Sequence, residues 1–145
     1  MVTAVVPKYL LSRPGALAEV SLAWRAGGAL LIGAGLVLFA WCVTLFARVG
    51  RGTLAPWDPT RALVAIGPYR YVRNPMITGV ALILVGESIF FRSGRLAAWT
   101  VLFVMVNHAY FLGLEEPGLR RRFGEQYRSY AAAVPRWLPR LRRRA

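Results

Sequence analysis

AGGALLIGAGLVLFAWCVTLFA, residues 26–47, is an uncharged run of 22 residues between Arg25 and Arg48. As a helix rising about 1.5 Å per residue it exceeds a hydrocarbon core of roughly 30 Å, so it reads as a tilted membrane span. Two more runs of this kind follow. The second, residues 74–91, is short and lies between Arg73 and Arg92; the third covers residues 96–114. Only a tight turn at Ser93-Gly94 separates them, and so short a connection makes them an antiparallel helical hairpin. Ala29 and Gly33 put small residues on one face of the first span, where a neighbouring helix is expected to approach closely.

The chain of 145 residues has room for one domain, and its 57% hydrophobic content is too high for an ordinary soluble protein of that size. Its net charge of +13 points to anionic headgroups or anionic ligands. Nucleic acid is disfavoured, because the arginines gather at the ends of apolar runs and not along a polar face. Cys42 is the single cysteine and His108 the single histidine, so a disulfide framework and the usual nitrogen- and sulfur-ligand metal sites are both disfavoured.

Upstream, residues 1–25 are mixed in character and too interrupted for a secretory signal, while residues 16–24 suit a short interfacial helix with Trp24 at headgroup level. Downstream of Leu114 the composition turns polar. Leu119, Phe123, Tyr127, Tyr130, Ala131 and Val134 recur at helical spacing, with Arg120, Arg121 and Arg128 largely on other faces. This is an amphipathic helix that Pro135 ends, followed by a basic tail over residues 140–144. The expected fold is an all-α membrane protein of three transmembrane helices plus that helix and a segment covering the site. Five arginines from Arg48 to Arg73 and nine after Leu114 face five basic residues on the other side, which places the N-terminus outside and both polar segments in the cytoplasm.

Between the first two spans lies Gly67-Pro68-Tyr69-Arg70-Tyr71-Val72-Arg73-Asn74-Pro75-Met76-Ile77-Thr78-Gly79. Gly67-Pro68 fixes a turn, and Pro75 is suited to a helix start whose first N–H groups would face whatever Arg70, Arg73 and Asn74 surround. From these residues alone, two uses stand open: a site for an anionic or zwitterionic ligand, or a grip on lipid phosphates. Glu115 and Glu116 follow the third span. Adjacent helical residues point about 100° apart, so one can bind a cation while the other pairs with an arginine or begins the next helix. Asn107, His108 and Tyr110 lie close before them, at a depth where polar groups need partners. Glu87 falls near Arg92 and the outer interface.

The block from Gly67 to Met76, with Gly79, is similar to the GPYRYVRHPxYxG pattern of the isoprenylcysteine carboxyl methyltransferase family. Glu115-Glu116-Pro117 with Leu119, Phe123-Gly124, Tyr127, Tyr130 and Val134-Pro135-Arg136-Trp137-Leu138-Pro139 resembles the C-terminal signature of that family. Asn74 stands in place of the usual His and Ile77 where Tyr is frequent; Asn-Pro-Met with Glu-Glu-Pro resembles the phospholipid N-methyltransferase branch. The resemblance spans about residues 59–140, in the same order.

It implies an integral membrane enzyme that uses S-adenosylmethionine, with a lipid-like or prenylated acceptor entering from the bilayer. It also implies cofactor contacts from Tyr71, Arg73, Asn74, Pro75, Gly79, Glu115, Glu116 and Tyr127, with catalytic roles for His108, Glu115 and Arg136. A carboxylate acceptor would need an arginine; an amine would need a base such as His108 or a glutamate. Two alternatives are an NADPH-dependent membrane reductase, which shares a related first block, and a non-catalytic membrane scaffold. The C-terminal segment is expected to close over the cofactor and exclude water.

Overall fold

The computed structural model describes residues 22–50 and 62–139, and among these the regular elements are helical. Helix α1 (Leu22–Leu45) runs into a π-helical stretch, Phe46–Gly50. A 3₁₀ turn, Gly67–Arg70, precedes α2 (Pro75–Phe90) and α3 (Gly94–Tyr110). A second π-helical stretch, Phe111–Glu115, joins α3 to α4 (Glu116–Ala133) without interrupting the rod. The charge-bounded runs therefore mark the helices to within a few residues, because an arginine at each end is costly to draw into an apolar layer. Leu22–Gly50 and Gly94–Ala133 are long and apolar enough to cross a membrane, whereas Pro75–Phe90 is a shorter apolar helix. Residues 16–21 of the expected interfacial helix, the loop around Trp57-Asp58-Pro59 and the basic tail lie outside the described residues.

The chain divides into two compact units, one holding residues 22–37 and 77–107, the other residues 38–50, 62–76 and 108–139. In the first, α1 meets α2 through glycines. A Cβ placed on Gly28 would lie 2.7 Å from the Gly86 carbonyl oxygen, and one on Gly35 would lie 2.5 Å from that of Gly79. The two contacts are seven residues apart on each helix and run in opposite directions, so the axes approach over two turns. Ala29 and Gly33 do not make this seam: Ala29 is exposed, and a Cβ on Gly33 meets nothing within 4 Å. Small residues draw helices together only where the facing helix is also bare, and that holds opposite Gly28 and Gly35.

At one end of this pair the Arg25 guanidinium lies 5.5 Å from the Phe90 ring centroid, and that of Arg92 lies 6.0 Å from the Trp24 ring. The turn from α2 to α3 is closed by Ser93 N–H donating to the Ser88 carbonyl at 3.0 Å, with Arg92 at a φ of 46° in the position that glycine usually takes. Glu87 Oε2 is buried and has no hydrogen-bond partner there; Arg92 is turned to Trp24 instead.

In the second unit a small core of Cys42, Val64 and Tyr69 is flanked by Leu38, Leu45, Phe46 and Met76. Gly67 has a φ of 58°, a conformation that calls for glycine, while a Cβ there would meet the end of the Leu45 side chain at 2.9 Å. Helix α4 is broken at Gly124 (φ 52°, ψ −124°), a conformation open to glycine alone. The stripe of Leu119, Phe123 and Tyr127 thus bends instead of running straight, with Tyr127 fully buried and the other two half-buried.

Candidate active site

Glu116 is the charged centre of the second unit, with its side chain 3% exposed. Its Oε1 accepts from Arg73 Nη1 at 2.7 Å and from Arg136 Nε at 2.9 Å. Its Oε2 accepts from Arg136 Nη2 at 3.2 Å, and Arg120 Nη2 stands 3.6 Å away. Burial works against the ionised carboxylate, but the Arg136 hydrogen bonds and the charges of Arg73, Arg136 and Arg120 outweigh it and hold Glu116 below the usual carboxylate range. A buried carboxylate with three guanidiniums is an anchor for those arginines.

Glu115, one residue earlier, is pushed the other way. Burial raises its carboxyl above the usual range; Arg122 opposes that and the charge on Glu116 adds to it. Two neighbouring carboxyls whose affinities for a proton are driven apart are equipped for different tasks.

The chain after α4 is tied to the same place. Arg73 N–H donates to the Pro135 carbonyl at 2.9 Å, Arg136 is held by Glu116, and Trp137 Nε1–H donates to His108 Nδ1 at 2.9 Å. The Trp137 ring also packs 6.3 Å from that of Phe111. Tyr130 donates its hydroxyl to the Tyr69 carbonyl at 2.7 Å, which fixes the 3₁₀ turn before Arg73 against α4. The segment from Val134 to Trp137 is therefore docked on protein.

Of the residues singled out in the sequence, Arg73, Glu116 and Arg136 meet directly, and Tyr127 joins them. Asn74 and Pro75 are buried in the same unit at the start of α2, while the neighbouring Tyr71 is 56% exposed. His108 accepts the Trp137 proton on Nδ1, so its other ring nitrogen carries the hydrogen when the imidazole is neutral. In this arrangement the Nδ1 lone pair faces the Trp137 indole. Gly79 belongs to the other unit, where it faces Gly35.

Arg120 was not among the candidates, although its signal is in the sequence: it lies four residues after Glu116, the spacing at which helical charges meet. Among the described residues of this unit, two buried polar atoms lack a hydrogen bond, Arg73 Nε and the Tyr127 hydroxyl. Burial raises the Tyr127 hydroxyl pKa, and nearby Arg73 partly offsets this.

The family model for phospholipid methyltransferases matches residues 23–126. Neither a curated protein nor a solved structure matches the chain.

Proposed function

The chain belongs to the phospholipid methyltransferase family, whose members are S-adenosylmethionine-dependent integral membrane enzymes acting on lipids, and from that premise we propose that it methylates the amine of a lipid headgroup at the cytoplasmic surface. The observation that carries the choice of an amine is the division of labour between the two glutamates. Glu116 is engaged by three arginines, whereas Glu115 keeps a carboxyl with raised proton affinity. An ammonium acceptor must lose a proton before it can react, and Glu115 is the group in this unit suited to take it.

The residues present fit the cofactor. The unpaired Arg73 Nε–H and Tyr127 hydroxyl are donors with no acceptor of their own, and they would hold its carboxylate. Asn74 and Pro75 would border the same place at the start of α2. When bound, S-adenosylmethionine would supply the methyl group of its sulfonium to the acceptor nitrogen, with S-adenosylhomocysteine as the leaving product. The protein then has three tasks: to align the acceptor, to remove its proton through Glu115, and to keep water out. Docking of residues 134–137 through Arg73, Glu116 and His108 supports the last of these. The excess of arginines around both polar segments supports the cytoplasmic placement.

The test is the purified full chain in detergent with methyl-labelled cofactor and a phospholipid bearing a primary amine. Label should appear in the lipid. Glu115→Gln should lower kcat by about a hundredfold or more while cofactor affinity stays within about twofold. A matching loss of cofactor affinity would instead make Glu115 the ligand of the cofactor ammonium. Full activity in the variant would remove the glutamate from the chemistry.

A further inference from the structure

Beside Glu116 lies an open groove of about 440 Å³, lined by Arg73, Arg120, Arg128, Arg136, Ala131 and Ala132. No acidic side chain is among these lining residues. Two carboxylates touch the four guanidiniums: Glu116 from beneath, and the exposed Glu125 at 3.6 Å from Arg128. Four positive charges against two negative ones leave a surplus of two on the groove. Arg120 and Arg128 are 54% and 72% exposed in their side chains, so water solvates this surplus until an anion enters and takes its place.

We propose that this groove takes the phosphodiester of a phospholipid headgroup, an assignment that rests on the lipid-methylating reading above and specifies its substrate. The cofactor carries no phosphate, and its carboxylate has donors of its own in Arg73 Nε and Tyr127. The groove thus has capacity beyond what the cofactor uses. Several guanidiniums spread around one hollow match a tetrahedral group with two charged oxygens, because each planar fork presents paired N–H donors along a different direction. Glu116 sets the geometry: by fixing Arg73 and Arg136, and with Arg120 close, it turns mobile side chains into a preorganised wall. Ala131 and Ala132 make the remaining wall small and uncharged, leaving room for the glycerol side of the diester. Arg128 is 72% exposed in its side chain and makes only a loose contact with Glu125, so its guanidinium is available to an incoming ligand.

The experiment uses the full chain in phosphate-free detergent buffer and reads thermal stability and equilibrium binding. Three probes are compared: a short-chain phosphatidylethanolamine below its micelle concentration, an alkyl ethanolamine of matching length without phosphate, and inorganic phosphate. The phospholipid should stabilise the protein saturably, and the phosphate-free amine should bind at least about tenfold more weakly. Arg128→Gln and Arg120→Gln, both at exposed positions, should each weaken phospholipid binding about tenfold, with Arg128→Lys recovering part of it and cofactor affinity unchanged in all three. Equal binding of the phosphate-free amine would overturn the assignment. So would a parallel loss of cofactor affinity, which would give the groove to the cofactor carboxylate, or binding of inorganic phosphate as tight as that of the lipid. Lipid binding that persists in a protein with no affinity for S-adenosylmethionine would refute methyl transfer while upholding the groove.

Discussion

Between α1 and α2 the contact is made by backbones that touch at Gly28–Gly86 and Gly35–Gly79; around Glu116 it is made by long side chains that reach a single carboxylate. The first region has no charged side chain at these glycine contacts and gains its cohesion from many weak contacts, each of small energy. The second concentrates its cohesion in one charge, buried at a cost that only its partners offset. A seam of glycines is hard to adjust and serves as scaffold. A carboxylate cage can loosen when one partner leaves, which suits a region that must admit ligands.

The sharpest way to break this contrast is Glu116→Ala. Removing the carboxylate leaves Arg73, 10% exposed in its side chain, without its counter-ion and frees Arg136, so a destabilisation of about 3–5 kcal/mol is expected in the second unit. Limited proteolysis should then cut near residues 134–137 first. Glu116→Gln should recover little, since it restores the shape without the charge. If the variant melts like the parent, the cage is not what holds the C-terminal segment.

Gly35→Ala comes next. The added methyl would meet backbone at 2.5 Å, which cannot swing aside as a side chain can, and overpacking of this kind costs about 1–3 kcal/mol. Gly33→Ala meets open space and should be neutral or slightly stabilising, because it lowers the entropy of the unfolded chain. Equal effects at the two positions, read as detergent melting temperatures, would erase the distinction between the seam and its neighbours.

The smallest effect expected is on pH dependence. Glu116 has a depressed folded pKa, so its contribution is present above the ordinary carboxylate value of 4.5 and fades only as pH falls below it. Glu115 is raised: it favours the fold when protonated, and that contribution is lost as pH rises through its folded pKa. Activity should therefore fall on the acid side while the cage is still intact. Fluorescence of Trp137, followed in a variant lacking the other tryptophans, should change at lower pH than the rate does. Coincident transitions would mean that one group governs both.

Helix limits were legible because Arg25, Arg48, Arg73 and Arg92 stop the apolar runs, and charge is the strongest punctuation near a bilayer. The seam was not, since Gly28 acquires meaning only when Gly86 is opposite, and that register depends on two helices at once. Around the site, the Arg73–Asn74–Pro75 block and the paired glutamates could be picked out as chemistry-bearing from residue type. Which glutamate the arginines would take could not, because adjacent positions differ only in rotation about the axis. The kink at Gly124 was hidden for a similar reason: Leu119, Phe123 and Tyr127 keep a regular four-residue spacing through a backbone that does not.

The π-helical stretch Phe111–Glu115 has a bearing on how this chain tolerates changes of length. A π-turn holds one residue more than an α-turn, so the chain between α3 and α4 carries one spare residue at that point. Deleting Gly113, whose surroundings are empty within 4 Å, would let the stretch relax to ordinary helix and leave the faces before and after it in phase. The same deletion at Phe103, within regular helix, has no such slack and would put the helix faces before and after it out of phase by about 100°. A single-residue deletion, usually disruptive inside a helix, has a place here where the helix can absorb it.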